Sequence, residues 1–146
     1  IVALTLGCIF YGRLIDSLGS GPTFVLGSLL LAGASYAFYH GLAAGMDQLV
    51  PLYMLAGFAV GIVGAVPYVM VNAFPPVVRF SGLSFSYNVA YAIFGGLTPM
   101  LVTLWMKNDV LAPSHYVVSL AGLGFVLGLW LWLRQRTRRQ VTPQTA

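Results

Sequence analysis

The sequence predicts an all-α integral membrane protein, and three observations carry that prediction. Of its 146 residues, 59% are hydrophobic and only 7% are charged, where a soluble domain carries about 25% charged residues. The apolar residues gather into runs near the ~20 residues that span a bilayer as a helix. The surplus of basic residues is local, with Arg134, Arg136, Arg138 and Arg139 together after the last apolar run.

Taken in order, the apolar runs cover residues 1–11, 23–39, 49–71, 82–105 and 116–133. At ~1.5 Å per residue, the first covers about half of a ~30 Å hydrocarbon core. It reads as the end of a spanning helix whose beginning lies outside the sequence, so the chain is expected to be part of a longer protein. Residues 12–21 read as a tight loop, with Ser20 or Gly21 capping the second helix and Pro22 at its first position. His40-Gly41 and a short segment with Asp47 separate the second and third runs.

The third run carries Tyr53, Gly57, Gly61, Gly64, Tyr68 and Asn72 at steps of three or four, which places them in one arc of a helix. Gly57-x-x-x-Gly61 is a small-residue pattern suited to close helix packing. Tyr53, Tyr68 and Asn72 are weighed evenly between packing and a cavity, because polar groups at membrane depth lean toward function. Pro67 removes the hydrogen bond to the Val63 carbonyl and should kink the helix.

A Pro75-Pro76 turn and Arg79 lead into the fourth run. Ser81, Ser84, Asn88, Tyr91, Gly95 and Thr98 form a second polar stripe. An unpaired amide in hydrocarbon is costly, so this face is expected to meet protein or enclosed water. Gly95, Gly96 and Pro99 are read as a hinge or, with somewhat more weight, as a static kink. The fifth run holds Gly124-x-x-x-Gly128 as a packing face, and Trp130 and Trp132 stand where an interfacial belt would. Residues 134–146 are read as a disordered, basic cytoplasmic tail following a transmembrane region of residues 1–133.

Alternate loops share a side of the membrane. Arg13, Arg79 and the four tail arginines fall on one side and Lys107 on the other, which makes the first side cytoplasmic. The arginine cluster is read first as a topological anchor, ahead of lipid or nucleic-acid binding. His40, Asp47, Asp109 and His115 fall outside, in short loops without helical ligand spacing, and read as solvated loop residues rather than a metal site. Cys8 is a lone cysteine with no disulfide partner in the chain. No apolar run contains paired catalytic groups, so an enzyme is not expected.

Two motifs resemble a known family. Gly12-Arg13-Leu14-Ile15-Asp16-Ser17-Leu18-Gly19 resembles the G-x-L-x-D-x-x-G signature of major facilitator superfamily transporters, in its weaker second copy. Phe74-Pro75, Val78-Arg79-x-Ser81-Gly82, Ser86-Tyr87-Asn88 and Phe94-Gly95-Gly96 with Pro99 look like the loop and eleventh helix of the metabolite:proton symporter family. That family includes permeases for proline and betaine, 2-oxoglutarate, citrate and shikimate. The resemblance implies the end of the eighth helix and the ninth to twelfth helices of that fold, in the cytoplasmic (inner) membrane, with a cytoplasmic C-terminus.

It further implies secondary active transport of a small metabolite or osmolyte by alternating access, as solute:proton symport. The proton gradient would supply the coupling ion, with no cofactor. The partners implied are a small-molecule solute, the lipid bilayer and an N-terminal half outside this sequence, and nucleic acid is not among them. Tyr53, Tyr68, Asn72, Asn88 and Tyr91 would contact solute or the other half. Gly12, Asp16, Gly19 and Arg79 would form a cytoplasmic gating loop, with Asp16 near a helix N-terminus of the other half or, alternatively, a local loop cap. None of the apolar runs holds Asp, Glu, His, Lys or Arg, which places any proton carrier elsewhere. The alternative is a non-transporting helical fragment or a structural subunit.

Overall fold

The computed structural model describes residues 1–45, 47 and 49–141, the side chains of 138–141 excepted. Five helices follow one another: α1 (Val2–Leu18), α2 (Ser20–Ala43), α3 (Leu49–Ala73), α4 (Arg79–Met106) and α5 (Ala112–Val141). Among the described residues there is no strand, and four stretches are long and apolar enough to cross a membrane: α2, α3, α4 and Ala112–Thr137 of α5. The chain is an all-helical, multi-pass membrane protein.

α2 is the central element and packs against α5, α3 and α1. Glycines set how closely the helices approach. A methyl group on Gly61 would stand 2.5 Å from the Gly7 carbonyl carbon, and one on Gly57 would be 3.6 Å from the Ala3 Cβ. The pairs Ala3–Gly57, Gly7–Gly61 and Cys8–Gly64 advance together, so α1 and α3 run in the same direction. Across α2 and α5 the order is reversed. A methyl on Gly21 would lie 2.5 Å from the Trp132 backbone, one on Gly128 2.7 Å from the Val25 nitrogen, and one on Gly124 2.7 Å from the Ser28 hydroxyl. Lipid tails are as apolar as leucine, so van der Waals contact of this kind drives association within a membrane. Tyr11, Ile15, Phe24, Ile62 and Ala65 form the buried cluster at the α1–α2–α3 junction.

Three sequence expectations are corrected. His40 and His115, read as loop residues, lie within α2 and α5. Residues 12–18 are helical, and no loop begins until Gly19. Tyr11 and Ile15 lie one turn apart and are both buried, so α1 gains packing by continuing. Gly19, at φ 89°, ends the helix and donates its N–H to the Ile15 carbonyl at 3.0 Å. Gly19 is also the N-cap of α2, which puts Ser20 first and Pro22 third, with no side-chain cap bond. The expected disordered tail is likewise helical as far as Val141; residues 142–146 of that tail lie outside the described residues. Arg and Gln favour helix, and basic side chains near a helix C-terminus complement its dipole. The guanidinium groups of Arg134 and Arg136 lie 4.9 Å from the ring centroids of Trp130 and Trp132, one turn back.

The two internal prolines distort their helices differently. Before Pro67, α3 tightens into a 3-10 turn over Gly61–Ala65, and the Val66 N–H takes the Val63 carbonyl that the proline leaves free. Before Pro99, α4 widens into a π-turn over Tyr91–Gly95, ending on the residue whose carbonyl Pro99 orphans. No residue of α4 is buried.

Close crossing makes the α1–α3 contact intolerant of bulk. Gly61→Leu is expected to destabilise the bundle by about 1–3 kcal/mol. Cys8 packs against Gly64 and is the only cysteine, so labelling by a thiol-reactive fluorophore reports that opening directly. Labelling should be faster in Gly61→Leu and unchanged in Gly33→Leu, which has open space around it. Equal rates would show that the crossing is not tight.

Candidate functional site

The polar residues of the two helical stripes fall in three places rather than one. Tyr53 lies near the start of α3, 66% exposed, with its ring 5.5 Å from that of Phe38 on α2. It lines a cavity of about 550 Å³, together with Ser35, Tyr39, Gly57, Val117 and the first residues of α1. Tyr68 and Asn72 lie beyond the 3-10 turn on the exposed side of α3. Asn88 and Tyr91 lie on α4, also exposed. α3 and α4 meet around their connecting turn, where Phe74 fills the space beside Gly82. The five residues therefore do not converge on a single pocket within the described residues.

Both asparagines solve part of their desolvation problem within their own helix. The Asn72 Nδ2 donates to the Tyr68 carbonyl at 2.8 Å, and the Asn88 Nδ2 donates to the Ser84 carbonyl at 2.8 Å. Each bond reaches back one turn to a carbonyl already in the helix ladder. One N–H and the side-chain oxygen of each amide remain for a further partner. Tyr91 stacks on Tyr87 with centroids 5.0 Å apart and planes inclined by 26°. Along this face of α4, an aromatic pair and an amide thus stand side by side just before the π-turn. Gly95, Gly96 and Pro99 follow at once, and the glycines have open space around them.

The gating-loop candidates are not grouped either. Gly12 and Asp16 sit on the last turns of α1, and Gly19 forms the break after them. The Asp16 side chain is exposed and has no ion pair among the described residues. Arg79 opens α4 at the far end of the α3–α4 turn, and its Nε donates to the Phe74 carbonyl at 3.4 Å. Phe74 is the C-cap of α3, so the arginine serves one of the carbonyls left free by the helix end.

Three interactions were not anticipated from the sequence. The hydroxyls of Thr98 and Tyr116 are 2.6 Å apart and tie α4 to α5. Gln135 Nε2 donates to the Ser20 hydroxyl at 2.7 Å and joins the α1–α2 turn to the end of α5. Asp109 organises the α4–α5 turn, accepting the Leu111 N–H at 2.8 Å and facing His115 Nδ1 at 3.0 Å. The polar stripe contains Thr98, and Tyr116 starts an apolar run, so each was visible singly; their pairing was not. Among the described residues no three His, Cys, Asp or Glu side chains come together.

No protein family description matches the chain, and no solved structure does. Curated proteins do. The proline/betaine transporter of Salmonella typhimurium is 27% identical over 138 residues, covering 88% of this chain and 27% of its own length. The glycine betaine/proline/ectoine/pipecolic acid transporter OusA of Dickeya dadantii is 29% identical over 141 residues, covering 90% of this chain and 28% of its own length. A Staphylococcus aureus protein, named provisionally as a proline/betaine transporter, is 25% identical over 131 residues, covering 86% of this chain and 28% of its own length. The chain thus spans less than a third of the length of these relatives.

The Thr98–Tyr116 bond should be measurable as a coupling. In a double-mutant cycle of Thr98→Val and Tyr116→Phe, followed by thermal unfolding in detergent, an interaction of about 1 kcal/mol is expected. Strict additivity would mean the two hydroxyls do not depend on each other.

Proposed function

We propose that this chain forms part of the second half of a major facilitator superfamily transporter of the metabolite:proton symporter family. In this reading it helps move a small zwitterionic osmolyte of the proline or betaine class across the cytoplasmic membrane. The observation that carries the reading is α4. It is long and apolar enough to span a membrane, yet none of its residues is buried, and one face presents Asn88 and the Tyr87–Tyr91 pair. A face of that kind costs free energy against lipid. It is suited to a second helical half or to the water-filled path between two halves. The similarity to proteins named as proline/betaine transporters runs through nearly the whole chain and supports the same reading.

Transporters of this kind bind solute near the membrane midplane and rock two halves around it. The roles then follow from position. Tyr53, Tyr68, Asn72, Asn88 and Tyr91 supply neutral hydrogen-bonding and aromatic contacts, to solute or across the halves. An aromatic face attracts a quaternary ammonium group, and Tyr87 and Tyr91 present such faces on α4. Asp16 closes the cytoplasmic side by meeting a helix N-terminus of the other half, where an acid is favoured by the helix dipole. The π-turn at Tyr91–Gly95, with Gly95, Gly96 and Pro99, lets the two ends of α4 move unequally. The apolar runs hold no Asp, Glu, His, Lys or Arg, so the proton is carried by a group outside these runs. With alternate connections on the same side, six of the seven Lys and Arg residues fall together, which supports a cytoplasmic C-terminus.

Uptake tests the reading. Labelled proline and glycine betaine are offered to cells that lack their own osmolyte uptake and express the open reading frame containing this chain. Accumulation abolished by a protonophore is expected, with Asn88→Leu lowering it about tenfold, the loss of a buried polar contact to solute or partner. Protein that reaches the membrane but accumulates neither solute would favour a non-transporting subunit.

A further inference from the structure

At the end of the bundle where α1 turns into α2, a cleft of about 210 Å³ is lined by Leu18, Trp132, Gln135 and Arg136. We propose that this cleft binds the phosphate headgroup of an anionic phospholipid. The inference needs only that the chain sits in a membrane, and it does not depend on transport.

The donors are already in place. The Arg136 guanidinium lies 4.9 Å from the Trp132 ring centroid, and stacking leaves its edge N–H groups free for a bidentate contact to phosphate. Arg136 has no ion pair among the described residues. Gln135 is held from two sides. It donates one Nε2 hydrogen to the Ser20 hydroxyl at 2.7 Å, and its amide fills the position where a Cβ on Gly19 would come within 3.0 Å. Its second Nε2 hydrogen remains available. Ser20 begins α2, whose N-terminus has no side-chain cap, so the positive end of that helix dipole lies beside the cleft. The nearest acid in sequence, Asp16, precedes Leu18 on α1 and is not part of the lining.

The apolar half of the lining selects a lipid over a free anion. Leu18 is 46% exposed and lines the cleft together with Trp132 and Arg136. A soluble phosphate has no use for a leucine and an indole. A phospholipid places glycerol and acyl carbons there while its phosphate meets the arginine, at the depth where tryptophan settles. Arg134 makes the same kind of stack on Trp130 but does not line the cleft, which provides an internal control.

The test is native mass spectrometry, in neutral detergent, of the product of the open reading frame that contains this chain, with phosphatidylglycerol or phosphatidylcholine added. A neutral micelle removes the general attraction of a basic surface for an anionic bilayer. Phosphatidylglycerol is expected to form a one-lipid adduct in clear preference to phosphatidylcholine. Arg136→Gln should weaken that adduct by about tenfold, Arg134→Gln by less than about twofold, and millimolar inorganic phosphate should leave it intact. Equal binding of the two lipids, or equal loss in both variants, overturns the proposal. Displacement by inorganic phosphate also overturns it, in favour of a free-anion site.

Discussion

The bundle depends on backbones that touch. At Gly7 against Gly61, and at Gly21 and Gly128 against α5 and α2 respectively, a side chain as small as methyl has no room. In water, larger apolar residues would drive such contacts by leaving solvent. In a membrane that force is absent, and stability comes from many short van der Waals contacts. This accounts for a core whose buried members include Ala34, Ala59, Ala65, Ala112 and Ala121 beside only a few large side chains. It also accounts for the many leucines and phenylalanines left exposed, among them Leu6, Leu29, Phe85 and Leu123, which cost nothing against hydrocarbon.

Given that framework, polar groups are settled locally wherever the helix allows. Thr5, Thr103, Ser119 and Thr137 each donate to the carbonyl one turn back, as do the amides of Asn72 and Asn88. Ser17 and Thr23 also bond back along the chain, and Arg79 and Asp109 serve their own turns; two other contacts join segments that the chain separates. Gln135 with Ser20 and Thr98 with Tyr116 tie the last helix to the first turn and to α4. Polar groups therefore play two roles here: most keep a helix compatible with hydrocarbon, and a few register one helix against another.

The prolines show how one chemical fact has two outcomes. Each removes a donor and frees the carbonyl four residues earlier. In α3 the preceding stretch is pinned at the Gly61 crossing, and it tightens into a 3-10 turn. In α4 the preceding stretch is unburied, and it widens into a π-turn. The tightened stretch is packed and the widened one is not.

Much was legible in the sequence because it depends on composition and short periods. The membrane environment, the all-helical class, the polar stripes and the glycine faces at Gly57–Gly61 and Gly124–Gly128 are all local patterns of three or four residues. The continuation of α1 through Asp16 was not legible, because the reason for it is the burial of Tyr11 and Ile15 against α2 and α3. The helical course of residues 134–141 was hidden by a polar composition that suits a tail equally well. Nor could spacing show that Tyr53 stands apart from Asn88, or that Asn72 turns its amide back on its own helix. The residues alone determined what kind of solvent this chain lives in and which faces must approach closely. Which face meets which, and which polar groups are left without a partner, only the tertiary structure decided. Those pairings join residues as far as 115 positions apart, and no local preference encodes such a distance.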